Sequence, residues 1–330
     1  MKLFKPKNST EKHYHCNDTF RELVDIWKEL NLIEVIETET NFVWLEGIGK
    51  ILLYDRPTLE WLDQDYKIGL FGNPDLPKND KINLPWIFWG RNPRLLMQEY
   101  NNLRIYNTIF IGKIENQVQN KYRDSKWKYY IDYFELINGN KNKYEPKEYL
   151  NLLSQSKFGL CLRGFGPKCN REIELMALGV VPLITPEVSI NYYNPLIEGK
   201  HYFKVNTPED IPLLVSNCSN EQWLEMSNNC KKWYETNCSP KGSFNITMEI
   251  VKKNTLNSFC TLATKNVYSD LIHLLTSIEK YYSDIPIYIL CDTFIENKIK
   301  DKYSNIKIYN KLDKYSNKNR AEMENDNIWT

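Results

Sequence analysis

SKFGLCLRGFGPKCNREIELMALGVVPLIT, residues 156–185, decides how the chain is read. The apolar run from Phe158 to Leu162 has the length and composition of a buried strand. Arg163 leaves its carboxyl end, Gly164, Gly166 and Pro167 form a loop, and a helix is predicted to begin near Asn170. REIELMALG carries helix formers and ends in glycine, and VVPLITP is a second buried strand. Strand, loop, helix and strand in that order belong to a parallel sheet, whose ligand crevice lies outside the carboxyl ends of its strands. A glycine loop feeding a helix N-terminus offers N–H groups and the positive end of a dipole, both suited to a diphosphate. Arg163 and Arg171 add bidentate phosphate donors. Glu174, one turn beyond Arg171, can accept hydrogen bonds from two ribose hydroxyls. The same pair also fits a plain i,i+3 ion pair on a helix surface.

The pattern extends on both sides. EPKEYLNLLSQS, residues 145–156, reads as a helix with proline just inside its start. RIYNTIFIGKIEN, from Arg104, reads as a strand followed by a loop, and Lys113 at the strand's carboxyl end is either a phosphate contact or a solvated loop lysine. Glu115, Asn116 and Gln119 belong to the same mouth, and KYYIDYFELING fits helix or strand. Upstream, NDTFRELVDIWKELN reads as an amphipathic helix with the stripe Phe20, Leu23, Val24, Trp27 and Leu30. NFVWLEG, KILLYDRP, YKIGLFGNP and LPWIFWGRNP follow as strands that end in turn residues. Downstream, Thr207 and Ser219 are candidate caps for two helices, and residues 239–255 read as a polar link. A new strand–helix–strand–helix–strand alternation then starts at NSFCTLAT. The expected division is a small α/β domain at 1–104, a second at 105–254 and a partial third α/β unit at 255–330.

Composition narrows the function classes. Hydrophobic residues make up 42% and charged residues 26%, and 9 Trp, 22 Tyr and 13 Phe exclude a disordered chain. The net charge of +1 and the lack of a basic stripe argue against nucleic acid as a partner. The 8 cysteines form no CxxC pair and match no zinc spacing, and Cys161, Cys260 and Cys291 sit in apolar strand-like runs as small buried hydrophobes. The N-terminus lacks the apolar stretch of a signal peptide, and no run reaches the roughly 18 apolar residues of a membrane span. A cytoplasmic protein with no membrane span is therefore expected.

Leu160, Cys161, Arg163, Gly164, Gly166, Pro167, Arg171, Glu174, Gly179, Pro182 and Ile184, in that order and spacing, resemble the donor-site signature of exostosin-like glycosyltransferases. That order is far more specific than a lone glycine motif. The resemblance implies a GT-B arrangement of two facing Rossmann-like domains and a nucleotide-sugar donor, a UDP- or GDP-sugar, held mostly by the second domain. It further implies that Arg171 and Glu174 hold the diphosphate and ribose with Arg163 nearby, without a metal or other cofactor, and that a glycan or glycoprotein accepts the sugar. Where the family commonly has a hydroxyl residue before the arginine, this chain has Lys168-Cys169-Asn170, and Lys168 is the candidate replacement charge. The third unit resembles the opening of a GT-A-type transferase without its Asp-x-Asp motif, Asp292 being followed by Thr293 and Phe294. Abundant Asn, Lys, Ile and Tyr resemble the coding bias of large DNA viruses, for which host cytoplasm or virion is the expected location.

Inverting transfer needs a base for the acceptor hydroxyl. Glu46 and Asp55, each ending a strand of the first domain, are the two candidates, and both also fit ordinary turn residues. His201, in the loop GKHYF, is either a satisfied loop histidine or a nucleotide contact. Two rival readings remain: a sugar-nucleotide epimerase, which needs no acceptor, and a non-catalytic glycan-binding or scaffold module using aromatic stacking.

Overall fold

A computed structural model describes residues 2–6, 18–39, 43–54, 66–71, 76, 78–85, 92–113, 127, 135–138, 143–164, 167–168, 170–255, 259–281, 286–303 and 306–313. The protein is mixed α/β with largely parallel sheets, divided into two compact units, Met1–Asn254 and Thr255–Thr330.

The first unit holds two sheets. One has the order β2-β1-β3-β4-β5-β6, from strands β1 (Lys2–Pro6), β2 (Glu34–Thr38), β3 (Val43–Leu45), β4 (Gly49–Tyr54), β5 (Ile68–Phe71) and β6 (Ile82–Pro85). β3 runs antiparallel to both its neighbours, and the other pairs are parallel. Helix α1 (Asp18–Glu29) buries Leu23, Val24 and Trp27 against this sheet's core, as its apolar stripe predicts. Leu30 falls past the helix end and is 44% exposed. Of the strand expected at LPWIFWGRNP, Leu84 and Pro85 end β6, residues 86–91 lie outside the described residues, and the short helix α2 (Pro93–Leu96) follows. β1 and β2, two strands the sequence reading passed over, complete the sheet.

The second sheet is parallel throughout, with the order β11-β10-β9-β7-β8. Its strands are β7 (Tyr106–Gly112), β8 (Glu135–Asn138), β9 (Ser156–Cys161), β10 (Val181–Ile184) and β11 (Phe203–Lys204). Helix α3 (Pro146–Ser154) leads into β9, and α4 (Arg171–Ala177) joins β9 to β10. α4 ends as its terminal glycine predicts, with Gly179 at φ +66, a left-handed conformation few other residues adopt at low cost. Arg104 fastens the far ends of both helices. Its guanidinium donates to the carbonyls of Ser154, Ser156 (3.1 Å), Leu178 (2.8 Å) and Gly179 (3.2 Å). Burial pulls its pKa down to about 10, so it remains a cation at neutral pH beside two helix C-termini, where a cation is favourable.

Three helices follow: α5 (Asp210–Asn217), α6 (Asn220–Asn237) and α7 (Pro240–Thr255). Ser219 caps α6 as expected, its hydroxyl accepting from the Gln222 N–H at 3.1 Å. The stretch read as a polar link is instead the 16-residue helix α7. Its buried side chains include Ser243, Ile246, Thr247, Met248, Ile250 and Val251, and the small hydroxyl residues Ser243 and Thr247 among them disguise the helical period. α7 ties the unit together: the Trp27 indole N–H donates to the Pro240 carbonyl at 2.6 Å, and the Phe244 ring meets Trp27 edge-on at 5.4 Å. A side chain as large as Trp27, fully buried, contributes about 3 kcal/mol through apolar area alone. Among the described residues, buried side chains of both sheets belong to one apolar cluster.

The second unit has the parallel order β12-β13-β14: β12 (Phe259–Ala263), β13 (Ile287–Cys291) and β14 (Ile306–Asn310). Helices α8 (Tyr268–Tyr281) and α9 (Thr293–Ile299) make the crossovers and supply Leu271, Leu275, Ile278, Ile295 and Ile299 to its core. Cys291 points into that core, but Cys260 is exposed because alternate residues of β12 face the other side of the sheet. No helix among the described residues is long and apolar enough to cross a membrane.

Candidate functional site

Numbered from its own first strand, the second sheet runs 2-1-3-4-5, and the order reverses between β7 and β9. Crossover helices on either side of such a reversal leave the chain open, creating a crevice at the strands' carboxyl ends. Lys113 follows β7 at that point and is exposed. Arg163 and Gly164 follow β9, beyond Leu162, and are half-buried. Gly166 lies outside the described residues.

Arg171 opens α4 and reaches back to the carboxyl end of β7. Its Nη2 donates to the Ile111 carbonyl at 2.7 Å, and its guanidinium lies over the Phe110 ring, 4.6 Å from the centroid. Gly112 leaves room for it, since a Cβ there would stand 2.8 Å from Nη2. Glu174, one turn along α4, is 4% exposed, and its Oε2 accepts the Tyr149 hydroxyl at 3.0 Å. Tyr149 stands in the first turn of α3. Burial foremost, then the Glu174 charge, push its ionisation far above that of an ordinary phenol, while the adjacent Arg171 guanidinium opposes the rise. The hydroxyl therefore stays protonated and donates at any working pH. Sequence reasoning singled out Arg171 and Glu174 but not Tyr149, which the helix pattern presents only as one of several partly apolar positions.

Lys168 does not take the role expected of it. It is buried, its Nζ donates to the Asn191 carbonyl at 2.5 Å, and it lies over the Tyr192 ring at 4.6 Å from the centroid. The Tyr192 hydroxyl in turn donates to Glu172 Oε1 at 3.0 Å, with Glu172 fully buried. The Ser189 N–H donates to the Pro167 carbonyl at 2.8 Å, so the loop after β9 is fastened to the segment after β10. Lys168 is spent on holding the loop, because a buried ammonium needs carbonyl and ring partners near at hand. Glu172, unnoticed in the sequence beside Glu174, anchors the same network.

His201 proves to be a satisfied loop histidine. Its Nδ1 accepts the Ile197 N–H at 3.0 Å and its own carbonyl accepts the Cys230 thiol at 3.0 Å. Burial, aided by the Lys200 charge, holds its pKa below the ordinary value.

Of the two candidate bases, the described one, Glu46, is not brought to the crevice. Glu46 sits in the turn joining β3 to β4, and its Oε2 accepts the Lys2 N–H at 3.0 Å. Leu45 pairs with Leu3 and Gly49, so Glu46 lies at the amino ends of the parallel strands β1 and β4, the edge opposite their carboxyl ends. The antiparallel course of β3 reverses the edge that a strand-end carboxylate would otherwise occupy. Asp55 follows the last residue of β4 and lies outside the described residues.

In the second unit, Asp292 is buried and fully engaged. Its Oδ1 accepts the Ile295 N–H at 2.9 Å as the cap of α9, and its Oδ2 accepts the Lys265 N–H at 2.8 Å. Among the described residues, no group of three or more His, Cys, Asp or Glu is placed to hold a metal ion.

A scan against protein-family models finds no match, and a search of curated proteins finds no significant relative. Among solved structures the chain is similar to the N-terminal domain of Candida albicans trehalose-6-phosphate phosphatase, with a TM-score of 0.38 and 7% identity. The match covers 76% of this chain and 78% of that one. At that TM-score the likeness is too loose to fix a topology or an activity.

Proposed function

We propose that the chain is a glycosyltransferase that binds a nucleotide-diphosphate sugar, a UDP- or GDP-sugar, at the crevice between β7 and β9. One observation carries the reading: Arg171 spans the point where the strand order reverses, beside a buried acceptor, Glu174, on the same helix. A guanidinium held against a strand end and an aromatic ring is pre-organised, and its planar fork suits a phosphate. Arg163 and Lys113 line the same edge and add the positive charge that a departing nucleotide diphosphate needs.

In this reading the acceptor hydroxyl oxygen forms a bond to the sugar's anomeric carbon. The bond from that carbon to the phosphate oxygen breaks, and the hydroxyl proton passes to a carboxylate base. Asp55 is the remaining candidate for that base, and the two sheets of the first unit are the facing halves of a GT-B arrangement. The order of residues from Leu160 to Ile184 supports an exostosin-like member, inverting and acting on a glycan or glycoprotein.

The burial of Glu174 and its bond to the half-buried Tyr149 favour a second reading, in which Arg171, Tyr149 and Glu174 are a core network of a non-catalytic glycan-binding module. A thermal-shift screen against UDP-, GDP- and dTDP-sugars separates the two. A ligand selective for the folded chain at a hundred times its Kd stabilises it by about 2.7 kcal/mol, a readily measured rise in Tm. No rise with any nucleotide sugar, alongside calorimetric binding of a glycan, establishes the second reading instead.

A further inference from the structure

Two guanidiniums can grip one diphosphate together only if the backbone between them is held. Seven residues, 164–170, separate Arg163 from Arg171. A free stretch of that length samples many shapes, and each shape sets the two arginines at a different separation. Here the stretch is tied at Pro167, whose carbonyl accepts the Ser189 N–H at 2.8 Å, and at Lys168, whose Nζ reaches the Asn191 carbonyl and the Tyr192 ring. Both ties run to the segment after β10, which is anchored in turn. Tyr192 meets Trp233 edge-on at 5.3 Å, and the Asn194 amide donates to Asn237 Oδ1 at 2.7 Å, Trp233 and Asn237 both lying on α6. The Tyr192 hydroxyl then donates to Glu172, the residue beside Arg171. A buried ammonium and a buried carboxylate thus meet on one tyrosine, the first over its ring and the second at its hydroxyl. Buried charges are weak evidence of stability, and fixing a register is their best-attested use.

We infer that Lys168, acting with Tyr192, is a positioning residue that sets the separation of Arg163 and Arg171, and so fixes how much a second phosphate adds to nucleotide affinity. The inference rests on the donor-site reading given above. The Lys168 ammonium is buried and bonded to a carbonyl, so it acts through the loop and not on the phosphate itself. With the arginines preset, a diphosphate is met by two planar forks without the cost of ordering the loop first. A monophosphate engages fewer of those donors and gains less from their placement. Loosening the loop therefore penalises the diphosphate more than the monophosphate, and leaves contacts to the nucleoside alone.

The test is calorimetric titration of the full chain with UDP, UMP, GDP and GMP, with the melting temperature of each variant recorded alongside. The wild type is expected to bind one diphosphate at least about thirtyfold more tightly than its monophosphate. Lys168→Met keeps an unbranched side chain and loses the ammonium. Its diphosphate-to-monophosphate ratio is expected to fall about tenfold, while monophosphate affinity changes by less than about threefold. Tyr192→Phe removes only the hydroxyl and leaves the net charge as it was, so it also serves should the lysine variant not fold. Its ratio is expected to fall about threefold. A folded Lys168→Met or Tyr192→Phe that keeps the wild-type ratio overturns the positioning role, whatever happens to its melting temperature. In the tyrosine variant that result would mean that charge alone, and not the held loop, accounts for any effect of Lys168. A wild type that binds a diphosphate no more tightly than its monophosphate overturns the role and leaves nucleotide binding standing. A wild type that binds none of the four nucleotides overturns the donor site as well.

Discussion

The second sheet of the first unit and the sheet of the second unit are built from the same parts, yet among the described strands only the former reverses its order. Both are parallel, both connect strands through helices, and both carry charged residues where a strand gives way to a helix. In the second sheet the strand order reverses between β7 and β9, while β12, β13 and β14 simply follow one another. Successive right-handed crossovers in one direction place both helices of the second unit on one face, and its described strands show no reversal of the kind that opens a crevice. The side chains follow suit. Arg171 and Glu174 bond across elements, to the end of β7 and to α3, whereas Asp292 spends both oxygens on backbone N–H groups. Asp313 accepts both the N–H and the hydroxyl of Thr293, and the N–H, followed by the hydroxyl, holds it below the usual carboxylate range. A charged residue at a strand end is thus a ligand group only where topology leaves it a crevice and the local backbone leaves it free to face one.

The strongest way to break this contrast is to remove the cross-element pair. Arg171→Ala and Glu174→Ala are each expected to lower sugar transfer by more than about a hundredfold, the scale seen when one charge-stabilising group is deleted from a site. Both variants should still fold, because the helix they sit on is held at its far end by Arg104. Incorporation of labelled sugar, measured beside a circular-dichroism melt, checks both halves of the statement. Turnover retained in both variants would remove this edge of the sheet from the chemistry.

Asp292→Ala is the matched change in the second unit, and its effect should fall on stability alone. It strips the cap from α9 and leaves the Ile295 and Lys265 N–H groups without their carboxylate, at a cost of about 2 kcal/mol. Hydrogen exchange should quicken across Thr293–Ile299 and leave α4 unchanged, with nucleotide affinity unaltered. Loss of nucleotide binding without faster exchange would show that the two sheets differ less than their strand orders imply.

How far the sequence could carry this is clear from particular residues. Strand β9, α4 and β10 were legible because unbroken apolar runs, a glycine stop and helix formers all agree over Ser156–Thr185. Helix α7 was not, since its buried stripe uses Ser243 and Thr247, which carry no apolar signal. Arg171 and Glu174 could be singled out by their place after a strand. Tyr149 could not, because its role depends on two helices that only the folded sheet sets side by side. Glu46 failed as a strand-end candidate for the same reason: whether a strand end belongs to the ligand edge depends on strand direction, and β3 runs the other way.

His201 sharpens the comparison at its finest scale, because it lies close to the second sheet and still behaves like Asp292. Its ring is committed to the Ile197 N–H, which only the neutral imidazole can accept at Nδ1. Burial lowers its pKa in the fold, so the unfolded chain takes up the proton first as the pH falls. The stability this residue contributes is therefore complete above about pH 6.5, the unfolded value, and is lost as the pH drops below it. His201→Gln supplies a carbonyl oxygen to the same N–H and has no proton to gain. Melting curves between about pH 7.5 and 5.5 should fall less steeply in that variant than in the wild type, by about 1 kcal/mol or less across the range. Donor affinity should be the same in both at pH 7.5, and a loss of affinity there would return His201 to the ligand edge.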